Sequence, residues 1–190
     1  NVHGTLRPAP RSRPPDLGRN RRVARRATRT IGSHAPSRKR LWTAPARGHS
    51  VARMDMETRI RDSFARQTMM ATLGAEIASV APGAVEIAAP ILPGARQQQG
   101  YGHAGLAFSL GDTAAGYSAL SVMPEESEVV TAEIRIHLLA PARGDRLIAR
   151  GRVVKPGRRL VVVTSEVFAV TGDDAVQIAL LTGTMVPVPV

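Results

Sequence analysis

The sequence predicts an α+β fold in which an antiparallel sheet wraps one long central helix. Two observations lead there. The first is a stretch beginning at Gly100-Tyr-Gly-His-Ala-Gly105 and running to Ser121, where Leu106, Leu110, Ala114 and Tyr117 recur at helical spacing. Small residues fill almost every other position, and Gly111 and Gly116 each cost about 1 kcal/mol of helix stability relative to Ala. Such a helix belongs where something packs closely around it. The second observation is what surrounds it: a strand hairpin before it and four successive strands after it, an order that gives a meandering antiparallel sheet.

The elements follow in order. Asp55 to about Met70 suits a short amphipathic helix, with Ile60 and Phe64 set against Arg59, Arg61, Asp62 and Arg66. Leu73–Val80 and Ala84–Ala89 read as strands joined by a turn at Pro82-Gly83. Pro90, Pro93 and Gly94 then break the pattern and lead to Gln97-Gln98-Gln99, and the central helix follows, ending near Met123-Pro124. Glu128–Leu139 alternates, placing Val130, Ala132, Ile134, Ile136 and Leu138 on one face and Thr131, Glu133, Arg135 and His137 on the other. Arg146–Val154, Leu160–Val170 and Ala175–Val186 complete the set. Lys155-Pro-Gly-Arg158 between the first two has Pro and Gly where a type II turn wants them.

Charge separates the chain into two parts. Of the net +11, residues 1–53 hold 14 Lys+Arg against one acid, Asp16, whereas residues 54–190 hold 12 basic and 14 acidic residues. The expectation is therefore a folded domain over 54–190 preceded by a disordered, Arg/Pro-rich basic extension over 1–53 that cannot bury enough surface to order itself. A basic arm for nucleic acid, an organellar transit peptide and sequence upstream of a native start at Met54 compete for that extension, and the last is favoured. The folded part, at −2, gives no reason to expect a nucleic-acid partner. No apolar run approaches the roughly 20 residues that span a bilayer.

Several chemistries are excluded. With no cysteine there is neither a disulfide framework nor a thiolate nucleophile. The five histidines, His3, His34, His49, His103 and His137, lack metal-ligand spacing. Gly100-Tyr-Gly-His-Ala-Gly105 matches the dinucleotide fingerprint in letters, but a buried parallel strand does not precede it. No G-x-S-x-G or phosphate loop is present.

What remains is the start of the central helix and its carboxylate. Free N–H groups near Ala104 and Gly105 can hold an oxyanion, and Asp112 can serve as general base or nucleophile. For each there is also a structural reading: His103 as a helix-start residue satisfied locally, and Asp112 as a carboxylate bound to a neighbouring strand. Asp112 follows Gly105 by seven residues, about 10 Å along the axis, too far for one carbonyl to touch both. A two-fold dimer with adjacent central helices would bring the amides of one chain to the Asp of the other.

At this point the residues resemble a known family. Gln97-x-x-Gly100-x-x-His103-Ala-Gly105, Leu110-x-Asp112-x-Ala114-x-Gly116-Tyr117, Thr131-Ala-Glu133-Ile-Arg135, Leu139-Ala-Pro141-Ala and Gly151-Arg-Val-Val-Lys-Pro-Gly157-Arg are similar to the hotdog-fold acyl-CoA thioesterases of the phenylacetate-degradation, or PaaI-like, type. The resemblance covers Met54 to Val190. It implies a cytoplasmic enzyme that hydrolyses acyl-CoA to a free acid and CoA without a metal or other cofactor, assembled as a dimer that pairs into a tetramer. It also implies that the amide at Ala104, helped by Gly105, polarises the thioester carbonyl. Asp112 of the partner would activate water or attack directly. Gln97 replaces the family's usual Asn in orienting substrate or water, and Thr131 falls where some members carry Ser near that water. His-Ala-Gly replaces the commoner His-Gly-Gly, which keeps the amide. Lys155, Arg158 and Arg159 are candidates for the CoA phosphates, against a reading as a solvated hairpin tip. The competing readings are a non-catalytic acyl-CoA-binding sensor or scaffold and an enoyl-CoA hydratase. The Asp/His pair that a hydratase needs, in a different motif, is missing. The acyl group is expected in a pocket lined by the helix and by the strand around Gly74 to Ala89 across the dimer.

Overall fold

The computed structural model describes residues 49–189, with side chains from 56 onward, so the expectations for the basic extension fall almost wholly outside the described residues. The elements are α1 (His49–Ala65), α2 (Thr68–Thr72), β1 (Glu76–Ala81), β2 (Ala84–Pro90), a single 3₁₀ turn (Pro93–Ala95), α3 (Ala104–Leu120), β3 (Ser127–Leu138), β4 (Arg146–Lys155), β5 (Val161–Thr171) and β6 (Asp174–Pro189). All six strands form one antiparallel sheet in the order β1-β2-β4-β5-β6-β3. That order leaves β1 and β3 as its edges. The α+β prediction of a sheet around one helix holds.

α3 is the core of the wrap. Leu106, Leu110, Ala114, Ala115, Tyr117, Ala119 and Leu120 are all buried, against Val85, Ile87, Leu147, Ala149, Val163 and Leu181 of the sheet. Small residues let the two layers touch. A Cβ on Gly151 of β4 would run into the Ala114 carbonyl, and one on Gly111 would lie 2.6 Å from a Leu181 methyl carbon. The helix therefore rests almost on the backbone of the sheet.

Several details depart from the sequence expectations. α1 begins at His49 and runs through Met54, and a second short helix, α2, occupies Thr68–Thr72. Leu73 and Gly74, expected in a strand, instead terminate α2, with Gly74 at φ +64°. α3 ends at Leu120, and Val122 and Met123 continue as tighter turns bonded to Ala119 and Leu120. The predicted type II turn at Lys155-Pro-Gly-Arg158 does not form, because Gly157 does not take the positive φ it requires; β5 starts only at Val161.

A fifth departure bears on the site. Ala132 is a bulge: Thr131 pairs with Met185 and Glu133 with Thr184, so β3 carries one extra residue there. Strict alternation would put Thr131 opposite in facing to Ile134. The bulge corrects this, and Val129, Ile134 and Ile136 pack on the core while Val130 is 50 % exposed. Thr131 is thereby turned toward α3.

Candidate active site

The start of α3 is fixed by one side chain. His103 occupies the N-cap at φ −65°, ψ 144°, and its Nδ1 accepts the N–H of Gly105 at 2.8 Å. Nδ1 must be the unprotonated ring nitrogen, which puts the ring N–H on Nε2. Gly at 105 permits this, since a Cβ would lie 2.9 Å from Nδ1. Leu106 N–H bonds the His103 carbonyl at 2.9 Å. Of the first three helical amides, only Ala104 N–H has no partner among the described residues. Of the two amides at the very start of the helix, Ala104 and not Gly105 therefore keeps its N–H free at the positive end.

The loop ahead of α3 is held by its own backbone. Gln97 N–H bonds the Tyr101 carbonyl at 2.8 Å, Gly102 N–H bonds Ala142 at 2.9 Å and His103 N–H bonds Ala95 at 2.9 Å. Gln97 turns its side chain onto Gln99, accepting that residue's N–H and donating to its Oε1 at 3.2 Å. A cavity of about 440 Å³ opens beside this loop, with Gln97, Tyr101, Ala104 and Ala107 on one side and Leu138, Leu139 and Ile178 on the other. A smaller one, about 160 Å³, lies on the opposite flank of the helix start, between Met69, Leu73, His103 and Leu106. No residue from Gly74 to Ala89 lines either cavity of the single chain.

Asp112 sits eight residues after Ala104, about 12 Å along the helix. It is half-buried, and Thr131 Oγ1 donates to its Oδ1 at 2.8 Å. The Thr131 hydroxyl also lies 3.3 Å from Met185 Sδ, but its single proton goes to the stronger acceptor, the carboxylate. Burial pushes the Asp112 carboxyl above the ordinary 3.8, and the Thr131 hydrogen bond pulls partly the other way. A desolvated carboxylate with one oxygen tethered and the other free has the makings of a base.

Lys155, Arg158 and Arg159 lie elsewhere, exposed around a concavity of about 430 Å³ in the loop between β4 and β5. The register Val161–Met185–Thr131 places that loop at the Asp112 end of the sheet, away from Ala104. Among the described residues no group of three or more His, Cys, Asp or Glu is gathered for a metal, and no helix is long and apolar enough to cross a membrane.

The model of the thioesterase superfamily matches residues 99–176, from the Gln loop into β6. A thioesterase family protein from Silicibacter pomeroyi is 42 % identical over 71 % of this chain and 99 % of its own, with a TM-score of 0.70. The chain belongs to the thioesterase superfamily. Its fold is the hotdog fold, shared with E. coli PaaI from the phenylacetic acid degradation operon, which is 22 % identical over 71 % of this chain and 94 % of its own with a TM-score of 0.64. A Haemophilus influenzae thioesterase shares it too, at 20 % identity, 67 % and 87 % coverage and a TM-score of 0.61. No curated protein matches the chain. This thioesterase is accordingly a thioester hydrolase of PaaI-like architecture.

One pair of residues at the cavity had no sequence signal. Arg143 Nη2 donates to the Tyr101 hydroxyl at 2.7 Å, and its guanidinium lies 4.6 Å from the ring centroid. The two are 42 residues apart and belong to no motif.

Proposed function

We propose that this thioesterase hydrolyses acyl-CoA to a free acid and CoA at a site completed by a second subunit. The observation that carries the reading is the division of α3: one free amide at Ala104, one desolvated carboxylate at Asp112, about 12 Å apart and unable to meet on one carbonyl. The Ala104 N–H donates to the developing oxyanion, which the positive end of the helix favours. Asp112 of the partner subunit takes a proton from water through Oδ2 as the water oxygen bonds to the carbonyl carbon. The C–S bond then breaks, and the proton passes to the departing CoA sulfur. Lys155, Arg158 and Arg159 supply cations for the phosphates of CoA.

The free edge of β3 supports the dimer. Antiparallel self-pairing about Ile134 sets Glu133 opposite Arg135 of the partner subunit, twice by symmetry. Because both strands carry the Ala132 bulge, Thr131 then falls opposite Ile136 of the partner subunit and Val129 opposite the partner's Leu138, each pair facing the helices. Leu138, 57 % exposed in the single chain, walls the cavity beside Ala104. That pairing carries Asp112 of the partner subunit toward the cavity.

Mixing two inactive variants tests this. Ala104→Pro lacks the amide and Asp112→Asn lacks the base. Unfolded and refolded together, they recover about a quarter of wild-type thiol release, because half the dimers are mixed and each mixed dimer has one intact site. Recovery of nothing from two folded variants would place the site within one chain, and full turnover by Asp112→Asn alone would remove the carboxylate from the chemistry.

A further inference from the structure

We infer that the cavity between the start of α3 and the end of β3 receives the acyl arm of the thioester, and that Tyr101, held by Arg143, limits the length of acyl group it admits. This rests on the hydrolase reading above and names the substrate feature that reading leaves open.

The placement follows from Ala104. A thioester whose carbonyl oxygen meets that amide has its carbonyl carbon at the mouth of the cavity, with the acyl arm and the sulfur diverging from it. Only one arm can enter. The walls are Ala104, Ala107, Leu138, Leu139 and Ile178, with polar groups confined to the Gln97–Tyr101 side. A pantetheine arm brings two amides, and burying them against these walls would leave hydrogen bonds unmade. A hydrocarbon arm brings none, and each buried methylene favours binding roughly fourfold. The apolar arm is the one this space fits.

Tyr101 is built as a fixed wall. Its carbonyl accepts Gln97 N–H at 2.8 Å, and the next residue, Gly102, is bonded to Ala142 at 2.9 Å, so its backbone is anchored on both sides. Its hydroxyl accepts from Arg143 at 2.7 Å while the same guanidinium covers one ring face. Arg143 is itself set by its N–H bond to the Pro141 carbonyl at 2.8 Å, in the turn that forms the far rim of the cavity. None of these contacts takes part in the hydrolytic chemistry. They tie the two rims together across a side chain that would otherwise swing. Arg143 is thus a positioning residue acting through Tyr101.

The test is a chain-length profile: kcat/KM for straight-chain acyl-CoAs from acetyl to palmitoyl, read as free thiol, for the full wild-type chain, Tyr101→Ala and Arg143→Met. Wild type should show an optimum followed by a fall. In Tyr101→Ala the optimum moves to longer chains, and the ratio of kcat/KM for the acyl group two carbons past the wild-type optimum to that at the optimum rises about sixteenfold, fourfold per methylene. Arg143→Met moves the same ratio in the same direction by less, which a general loss of stability would not do. If both variants fall by one common factor at every length, the arm common to all substrates occupies the cavity and the inference is overturned; an unchanged profile overturns it equally. Should Tyr101→Ala fail to fold, the Arg143→Met profile decides alone. A wild-type chain that releases no thiol from any acyl-CoA overturns the hydrolase reading instead, and this inference with it.

Discussion

Ala104→Pro isolates the amide on which the chemistry rests. Proline usually disrupts a helix by removing an N–H that the helix uses and by constraining the residue before it. Neither cost applies at residue 104. It is the first helical residue, its N–H bonds nothing among the described residues, and His103 already holds φ −65°, ψ 144°, the extended geometry that a following proline demands. The Gly105 N–H to His103 Nδ1 bond is not touched. The substitution should therefore leave stability unchanged or raise it by about 0.4–1 kcal/mol, through the less flexible unfolded chain. Activity should respond oppositely. Loss of one oxyanion donor typically costs a hundredfold to a thousandfold in kcat, about 2.7–4 kcal/mol of transition-state stabilisation. Thiol release under saturating acyl-CoA measures kcat, and a thermal melt followed by circular dichroism measures the fold. A folded Ala104→Pro protein with kcat within about threefold of wild type would refute the assignment of the oxyanion to this amide.

Two further outcomes concern Asp112. Thr131→Val removes the hydrogen bond that lowers its pKa, so the acid limb of the kcat/KM profile should move to higher pH, while Thr131→Ser keeps it in place; an unmoved limb in the valine variant would mean that another group sets it. Asp112→Asn should be more stable than wild type at neutral pH. The carboxyl is raised in the fold and returns to about 3.8 on unfolding, so the native state binds the proton more tightly; its stability falls as pH rises from 3.8 through the folded value, and the penalty is complete above that value. Denaturation midpoints at neutral pH should therefore favour the Asn variant, with the difference closing below about pH 3.8. A less stable variant at neutral pH would show that the Thr131 bond outweighs the burial.

How much of this could be read from the sequence depended on whether a signal was local. α3 was legible because its glycines and alanines make sense only under close packing, and Gly151 and Ala114 show where that packing occurs. The hairpin at Pro82-Gly83 was equally plain. α2 was not, since five residues from Thr68 to Thr72 are too few to display a helical period. The facing of Thr131 was read wrongly for a physical reason: alternation assumes two residues per repeat, and Ala132 adds one that nothing in its chemistry announces. Residues around the helix start fared differently. Sequence placed His103, Ala104 and Gly105 together but left both amides available; only the geometry of the His103 ring commits Gly105 and leaves Ala104 free. Tyr101 and Arg143 meet through the return of the chain after β3, which no pattern along the sequence encodes.

The contact between Gly151 and the Ala114 carbonyl pins α3 against the sheet just past the Asp112 carboxylate, with the Ala104 amide at the far end of the same rod. In the proposed dimer the helix serves two substrates at once, the amide facing one and the carboxylate the other. A rigid rod shared in this way makes the two sites mechanically dependent: a slide of α3 that draws its amide toward one thioester moves its carboxylate relative to the other. A side chain at residue 151 would therefore disturb both sites together.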